Sequence, residues 1–316
     1  MILTVTLNPS VDHTLFLTEW VLNDTNRATR VERDAGGKGV NISRVIHGLG
    51  GKTLATGFLG GGAGAYVKHT LEREGVPNQF VPIRDETRID FSIELTDGKP
   101  PTCVNEPGPT VYDSEVETLV DLLKGLLPKA RWLVLGGSHP PGTPTDIFRR
   151  IGRISRNAGI PFALDADGDV LKLGVEAGPT FLKPNAAEAS RFLGRPLRSL
   201  EDCILGAREI CDVVESQQRD EHVVTVVSRG ALGAVMSSHG KTWIGESPRV
   251  EKNSTVGSGD SMVGAMLTLL DKGCSPPEAF QFGLAAGAAT AAKMGGGLAN
   301  LEDLEPLLDQ VKIREA

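Results

Sequence analysis

The stretch NSTVGSGDSMVGAMLTLL, residues 253–270, joins a short extended segment to an apolar helix through a turn that contains two glycines. Glycines in such a turn leave the first N–H groups of the helix open, and the helix dipole makes them attractive to an anion. Gly257, Ser258 and Gly259 therefore suit the charge that develops on a transferring phosphoryl group. Asp260 fits an N-cap, but it can also take a proton from an attacking alcohol. A cap alone leaves the two glycines unexplained.

Units of this kind, an extended burst followed by a loop and a helix, recur along the chain. The β-rich bursts are ILTVTL (2–7), TLATGFL (53–59), RWLVLGG (131–137), PFALDA (161–166), TFLKPN (180–185) and VVTVVS (223–228). Amphipathic helical patterns cover 40–49, 65–74, 114–127, 145–157 and 200–214. The alternation predicts an α/β fold with a mostly parallel sheet covered by helices on both faces. Ligands of such folds bind beyond the carboxyl ends of the strands, so function is expected in the loops there.

Two segments, at about 13–33 and 87–104, break this alternation. They contain the alternating stretches HTLFL and RIDFSIEL, and TDGK at 96–99 is a tight-turn signal. We expect both to pair into a small sheet that stands off the main domain. Such a sheet either covers a site as a lid or pairs with its copy in a second subunit. The chain is accordingly predicted to be one domain, 1–316, with two lid excursions.

The bulk composition restricts the class of function. With 316 residues, 40% of them hydrophobic, and a net charge of −7, the chain has material for a large core and no broad nucleic-acid footprint. Its four cysteines form no C-x-x-C pair, which indicates reduced thiols and no zinc site. The start MILTVTLNPSVD lacks signal-peptide features, and FGLAAGAATAA (282–292) is shorter than the roughly 20 residues that span a bilayer. We expect a cytoplasmic protein without membrane partners.

A second glycine-rich helix start is DAGGKGVNISRV, residues 34–45. Gly36, Gly37 and Gly39 precede an apolar helix, with Lys38 among them and Asn41 in the first turn. A plain loop-to-helix turn needs one glycine and not three. The pattern is open to either interpretation, and its functional form is a site for an anion or a sugar hydroxyl.

Cations near this loop suggest what the anion is. Arg27 and Arg88 fall in the two lid segments and Lys38 in the glycine loop. If the lid folds over the loop, the three converge and can hold a phosphate already present on the substrate. The alternative is ordinary solvated surface charge. Asp12, just past the first strand, would lie nearby as an acceptor for sugar hydroxyls.

The stretch LKPNAAEASRF, residues 182–192, carries a third candidate. Asn185 and Glu188 have the spacing of a helix-capping box, which is the stronger interpretation from sequence alone. The functional alternative places both side chains, with water, around a Mg²⁺ ion that accompanies a nucleotide triphosphate. The two are compatible at the end of a strand.

Together, AGGKGVN, KPNAAE and TVGSGDS, in this order and at these separations, resemble the motifs of ribokinase-like (PfkB-type) sugar kinases. The resemblance covers essentially the whole chain. It implies a three-layer α/β/α domain with a mostly parallel sheet and a small β-sheet lid. It also implies ATP and Mg²⁺ as cofactors, a small-molecule sugar acceptor, and a homodimer formed through the lid.

The resemblance also assigns roles to individual residues. Asp260 matches the general base, and Gly257 to Gly259 match the anion hole. The nucleotide and its Mg²⁺ are assigned to Lys183, Asn185, Glu188 and the SRGALG loop with Ser228, Gly230 and Gly233. The sugar-side positions are Asp12, Gly36, Gly37, Asn41, Arg88 and Ser138. Arg27 matches a lid arginine that reaches substrate across a dimer interface, and Ser254 and Val256 match a stretch that holds K⁺ in some members.

Two further features narrow the expected acceptor. Lys38 and the NEPGP stretch (105–109) resemble features of the branch of the family that acts on phosphorylated ketohexoses. Within that branch the chain is most similar to the 1-phosphofructokinases. We expect phosphorylation of fructose 1-phosphate at its 6-hydroxyl. The alternatives are tagatose 6-phosphate and fructose 6-phosphate, phosphorylated at the 1-hydroxyl.

Two rivals come from other classes. GGGAGA, residues 60–65, satisfies the G-x-G-x-x-A pattern of dinucleotide-binding enzymes, but no acidic residue ends a second strand at the expected distance. The sequence contains no G-x-x-x-x-G-K-[ST] loop. A non-catalytic sugar-phosphate binder is the other rival, and a base beside an anion hole argues against it.

Overall fold

The computed structural model describes residues 1–95, 101–217, 223–251, 254 and 256–316. The TDGK turn predicted at 96–99 lies outside these ranges. Within them, ten strands form one large sheet. In spatial order they are β14 (Lys312–Glu315), β13 (Lys241–Glu246), β12 (Ala234–Ser238), β11 (Val224–Ser228), β10 (Phe181–Leu182), β9 (Phe162–Asp165), β8 (Trp132–Gly136), β1 (Ile2–Thr6), β4 (Thr53–Leu59) and β5 (Val81–Pro82).

The large sheet is parallel from β5 through β11, as the alternation of bursts and helices predicts. Its other edge is an antiparallel extension of β12, β13 and β14, which was not predicted from the sequence. The six predicted bursts all lie on strands of this sheet, so the central prediction of an α/β fold is confirmed.

Helices cover both faces of the large sheet. The helices are α1 (Lys38–Gly48), α2 (Gly61–Arg73), α3 (Asp113–Leu126), α4 (Ile147–Asn157), α5 (Gly168–Val175), α6 (Ala186–Leu193), α7 (Leu200–Glu215), α8 (Ser258–Asp271), α9 (Pro276–Ala291) and α10 (Leu301–Leu308). Leu3 and Val5 face one apolar core with residues of α3, α4 and α7. Ile2 faces a second core with residues of α1, α8 and α9. Side chains of β1 therefore alternate between the two cores, and the sheet forms the middle layer between two layers of helices.

In the described part of the chain, four strands form a separate small sheet in the order β3 (Arg30–Gly36), β2 (Ser10–Leu17), β6 (Arg88–Leu95) and β7 (Thr102–Asn105). β2 runs parallel to β6, and the two outer strands are antiparallel to their neighbours. The small sheet therefore combines the two segments that break the alternation. Asp12 was predicted to lie just past the first strand. Because β2 begins at Ser10, Asp12 instead lies inside the small sheet.

Two helix boundaries differ from the predicted ones. α1 begins at Lys38, so Gly39 lies within its first turn instead of preceding the helix. α2 begins at Gly61, four residues before the predicted 65, because Gly60 already has the extended conformation of an N-cap. None of the helices in the described ranges combines the length and apolar character that a membrane-spanning segment needs.

Candidate active site

A cavity of about 440 Å³ lies where the carboxyl ends of central strands meet the small sheet. One side follows a polar stripe of alternate residues from β1 into β2. The stripe consists of Thr6, Asn8, Ser10, Asp12 and Thr14. Because strand side chains alternate between faces, one stretch of chain presents polar groups to the cavity from both sheets. Only Asp12 of these five was singled out from the sequence.

Asp260 lies in the first turn of α8 and lines the cavity. Its Oδ2 accepts a hydrogen bond from Asn41 Nδ2 at 2.8 Å. This bond joins α8 to α1, and the N-cap position of α8 is Gly257, so Asp260 is not the cap residue. Burial raises the pKa of Asp260 to about 6, with Asp165 adding to the rise and Lys38 opposing it. A carboxylate with such a pKa is ionised near neutral pH and is basic enough to accept a proton from an alcohol.

The turn that precedes Asp260 keeps its N–H groups open. Gly257 is in the left-handed conformation with φ 74, and the first intrahelical bond is donated by Ser261 N to Gly257 O at 2.8 Å. The N–H groups before Ser261 therefore lack helix partners. A Cβ on Gly257 would lie 2.6 Å from Leu298 Cδ2, and one on Gly259 would lie 3.2 Å from Lys183 Nζ. The two glycines are explained by conformation and by close packing beside a lysine.

Asp165 is the main site residue that the sequence analysis missed. It ends β9, is 1% exposed, and accepts a hydrogen bond from Lys38 Nζ to Oδ1 at 2.8 Å. Its Oδ2 lies 3.6 Å from Lys183 Nζ. Burial raises the pKa of Asp165, but the two lysines outweigh burial and hold it below its usual range. The signal was present, since PFALDA ends a strand in an aspartate.

The three predicted cations do not converge within this chain. Lys38 and Arg88 both line the cavity, whereas Arg27 is exposed in the connection between β2 and β3 and does not. Lys38 turns to Asp165 and lies 4.0 Å from Glu188 Oε1. Burial disfavours its charged form, but neighbouring carboxylates outweigh that effect and raise the pKa of Lys38 above its usual range. Lys38 and Arg88 pair with different carboxylates, Asp165 and Asp90 respectively.

Asp12 packs directly on the backbone of Gly36. Its Oδ1 accepts a hydrogen bond from Ser10 Oγ at 2.6 Å, and burial raises the pKa of Asp12. A Cβ on Gly36 would lie 2.2 Å from this Oδ1. Gly37 has φ 103, and a Cβ there would lie 2.8 Å from Thr6 Cγ2. Both glycines therefore allow a close approach between the α1 turn and the stripe.

Ser138 lies in the loop after β8 and lines the cavity. Its Oγ accepts a hydrogen bond from Asn8 Nδ2 at 3.2 Å, and the same nitrogen donates to Pro107 O at 3.0 Å. Asn8 thus connects the end of β1 to the NEPGP stretch that leads out of the small sheet.

The predicted capping box at the start of α6 is present. Asn185 Oδ1 accepts from Ala187 N and Glu188 N, both at 2.9 Å, and Glu188 Oε2 accepts from Asn185 N at 2.8 Å. Asn185 Oδ1 therefore already accepts two hydrogen bonds within the cap. Glu188 lines the cavity, and its Oε1 is not used by the cap, so this oxygen suits a metal-bound water. Among the described residues, no group of three or more His, Cys, Asp or Glu side chains could hold a metal. The residues fit Mg²⁺ brought in by a nucleotide, with Glu188 as contact.

The remaining predicted residues lie around these groups. Ser228 ends β11, and its N–H donates to Pro184 O at 3.1 Å beside Asn185. Gly230 and Gly233 follow with φ 59 and 87, outside the cavity lining. The Oγ of Ser254 accepts from Val256 N at 3.2 Å, and Ser254 N donates to Ala291 O.

The N-terminus of α2 contradicts the alternative of a dinucleotide-binding enzyme. Ala63 N donates to Glu86 Oε1 at 2.6 Å, and a Cβ on Gly61 would lie 2.0 Å from Glu86 Oε2. The N-terminus of α2 is therefore filled by a carboxylate of the chain itself, where a pyrophosphate would have to bind.

Known proteins place this arrangement in a family. A family model described as pfkB family carbohydrate kinase matches residues 5–303. The chain belongs to this family. A 1-phosphofructokinase of Borreliella burgdorferi is 31% identical over 316 residues, 100% of this chain and 99% of that protein. One of Bacillus subtilis is 30% identical over 315 residues, 99% of each chain.

A solved structure agrees with this placement. Phosphofructokinase-2 of Escherichia coli in complex with potassium is 30% identical and has a TM-score of 0.90 over 98% of both chains. Another structure of that protein is described as its tetrameric inhibited form. This pfkB family member has the ribokinase-like fold expected from its motifs, and it is an ATP-dependent sugar kinase that acts on a hexose phosphate.

Proposed function

We propose that this kinase phosphorylates fructose 1-phosphate at its 6-hydroxyl, giving fructose 1,6-bisphosphate and ADP. The observation that carries the proposal is the buried Asp260, which lies beside an open helix turn in a cavity also lined by Arg88 and Asp12. The full-length similarity to two proteins named 1-phosphofructokinase supports this choice of acceptor.

In the proposed reaction, Asp260 accepts the proton of the 6-hydroxyl as that oxygen attacks the γ-phosphorus of ATP in line. The new O–P bond forms while the bond from the γ-phosphorus to the β,γ-bridging oxygen breaks, and ADP leaves. The open N–H groups of Gly257, Ser258 and Gly259 stabilise the charge on the transferring group. Asn41 holds the Asp260 carboxylate in place through Oδ2, which leaves Oδ1 for the proton.

We assign the two cavity cations to different phosphates. Lys38, which lies between Asp165 and Glu188, is assigned to the transferring phosphoryl group. Lys183 lies next to Gly259 on the same side of the site. Arg88, on the small sheet, is assigned to the phosphate that the acceptor already carries. Mg²⁺, when bound, supplies positive charge to the phosphate oxygens of ATP. Glu188 would hold its water, beside the Asn185 cap.

The sugar ring is assigned to the stripe and the α1 turn. Asp12 accepts its hydroxyls, with Gly36, Gly37 and Ser138 close to it. The Ser228 loop with Gly230 and Gly233 is assigned to the nucleotide, and Ser254 with Val256 to K⁺. We further propose one domain with the small sheet as lid, and a homodimer in which Arg27 reaches the partner's site.

The test is ATP consumption in a coupled ADP assay with a panel of acceptors. The panel contains fructose 1-phosphate, fructose 6-phosphate, tagatose 6-phosphate, fructose, ribose and adenosine, and Asp260→Asn serves as the background control. Highest kcat/KM for fructose 1-phosphate supports the proposal. Preference for either 6-phosphate keeps the mechanism but moves transfer to the 1-hydroxyl. Preference for an unphosphorylated acceptor contradicts the assignment of Arg88, and no turnover at all supports the non-catalytic binder.

A further inference from the structure

The guanidinium of Arg88 is held by hydrogen-bond acceptors through Nη1 and Nε. Its Nη1 donates to Asp90 Oδ1 and to the Glu106 carbonyl, each at 3.0 Å. Its Nε donates to the Asn8 carbonyl at 3.4 Å. No described residue accepts a hydrogen bond from Nη2, and Arg88 lines the cavity. The N–H groups of Nη2 are therefore the ones left for a ligand.

Asp90 is itself fixed, two residues along β6 from Arg88. Both of its carboxylate oxygens lie 3.0 Å from Arg88 Nη1. Its Oδ1 also accepts from Glu106 N at 3.1 Å, and both side chains are 14% exposed. A charged pair with this much burial and this many hydrogen bonds has one preferred geometry. Asp90 therefore determines how the Arg88 guanidinium is oriented.

Asp90 also stands directly beside Asp12 in the parallel pairing of β2 and β6. Burial raises the pKa of both carboxyls, and Arg88 lowers each of them. Arg88 is thus the counter-ion of two neighbouring acids. Without the direct contact to Asp90, the guanidinium would be free to turn toward Asp12 and away from a ligand.

We propose that Asp90 is a positioning residue that orients Arg88 so that Nη2 meets the phosphate of the acceptor, and that it thereby sets KM for the acceptor and not the rate of the chemical step. The inference rests on the proposed function, because it requires an acceptor that carries a phosphate. Its physical basis is preorganisation: an arginine already held in place loses less side-chain freedom when it binds a phosphate.

The experiment measures KM and kcat for the preferred acceptor in Asp90→Ala, Asp90→Asn and Arg88→Ala, and in the Arg88→Ala/Asp90→Ala double variant. In Asp90→Ala we expect KM for the acceptor to rise about tenfold, the scale of one charge-assisted hydrogen bond, while kcat stays within about twofold and KM for ATP does not change. In Asp90→Asn the amide oxygen still accepts from Nη1, so KM stays within about threefold of the wild-type value.

The double variant separates positioning from direct contact. If Asp90 acts only through Arg88, its removal has no further effect on KM once Arg88 is alanine. A further rise in that background, an unchanged KM in Asp90→Ala, or a loss confined to kcat each overturns the proposal. Glu94→Ala is the matched control, since it removes another carboxylate from β6 that has no contact with Arg88, and thermal unfolding shows that each variant is folded.

The failure of this inference and the failure of the proposed function look different. A wild-type enzyme that prefers an unphosphorylated acceptor overturns both. A wild-type enzyme that prefers a hexose phosphate, with KM unaffected by Asp90→Ala, overturns the role of Asp90 and leaves the proposed function intact.

Discussion

Replacing Gly36 by alanine tests the assignment of Asp12 as the sugar-hydroxyl acceptor. The added Cβ would lie 2.2 Å from Asp12 Oδ1, 2.3 Å from its Cγ and 2.4 Å from its Oδ2, where ordinary contacts begin at 3.4 Å. The whole carboxylate has to move by about 1 Å, and the 2.6 Å bond from Ser10 Oγ has to stretch or break. A displacement of about 1 Å at a substrate contact costs about 100-fold in kcat/KM.

The assay is steady-state kinetics with the preferred hexose phosphate, with KM for ATP measured in parallel. We expect kcat/KM for the sugar to fall about 100-fold and KM for ATP to stay unchanged. Gly125→Ala is the control, because Gly125 lies in α3 and an added Cβ there meets nothing within 4 Å. In an Asp12→Ala background the same Gly36→Ala change should have no further effect on the sugar. A folded Gly36→Ala enzyme with wild-type kcat/KM would refute the role of Asp12.

Three further predictions concern the base and its surroundings. Asp260→Asn keeps ATP affinity, measured by calorimetry, but loses about 100-fold or more in kcat because no carboxylate takes the proton. Because burial raises the pKa of Asp260 to about 6, kcat/KM falls with unit slope as the pH drops below that value. If this acidic limb of the pH profile is centred at the pKa of an exposed aspartate, the effect of burial is contradicted. In Asp165→Asn this limb moves to lower pH, because Asp165 helps to raise the pKa of Asp260. The same variant leaves Lys38 and Lys183 without their shared counter-ion, which should cost about 3–5 kcal/mol in the free energy of unfolding by urea. An unmoved limb would show that the charge of Asp165 does not reach the base.

The central strands were predictable because each is a short apolar run buried on both faces. TLATGFL and RWLVLGG, for example, contain the whole of β4 and β8. The antiparallel edge was not predictable on this basis. β13 (KTWIGE) and β14 (KIRE) are short and partly exposed, so their polar and apolar residues give no strong period. Their places in the sheet are set by pairing, of β13 with β12 and of β14 with β13, and not by local pattern.

The site was predictable where a motif concentrates its chemistry in one stretch, as in the turn before Asp260. Asp165 was missed because an aspartate at a strand end is also an ordinary turn residue. What makes it a site residue is its contact with Lys38, which lies 127 positions earlier in the chain. Of the three cations expected to converge, Lys38 and Arg88 line the same cavity but pair with different carboxylates, and Arg27 is exposed. For Lys38, the large sequence separation from Asp165 hides the carboxylate that decides where the cation points.

The cavity draws its groups from two sheets, and this division orders the expected effects of substitutions. Thr6 ends β1 of the large sheet, whereas Asp12 and Arg88 belong to the small sheet. Asp260 belongs to α8, which packs on the large sheet. The distance between the acceptor-binding groups and the base therefore depends on the angle between the sheets, a quantity that no local stretch of sequence encodes. A substrate bound as proposed would contact both groups and so span the two sheets. Substitutions in the small sheet should then act mainly on KM, and those at the α8 turn mainly on kcat.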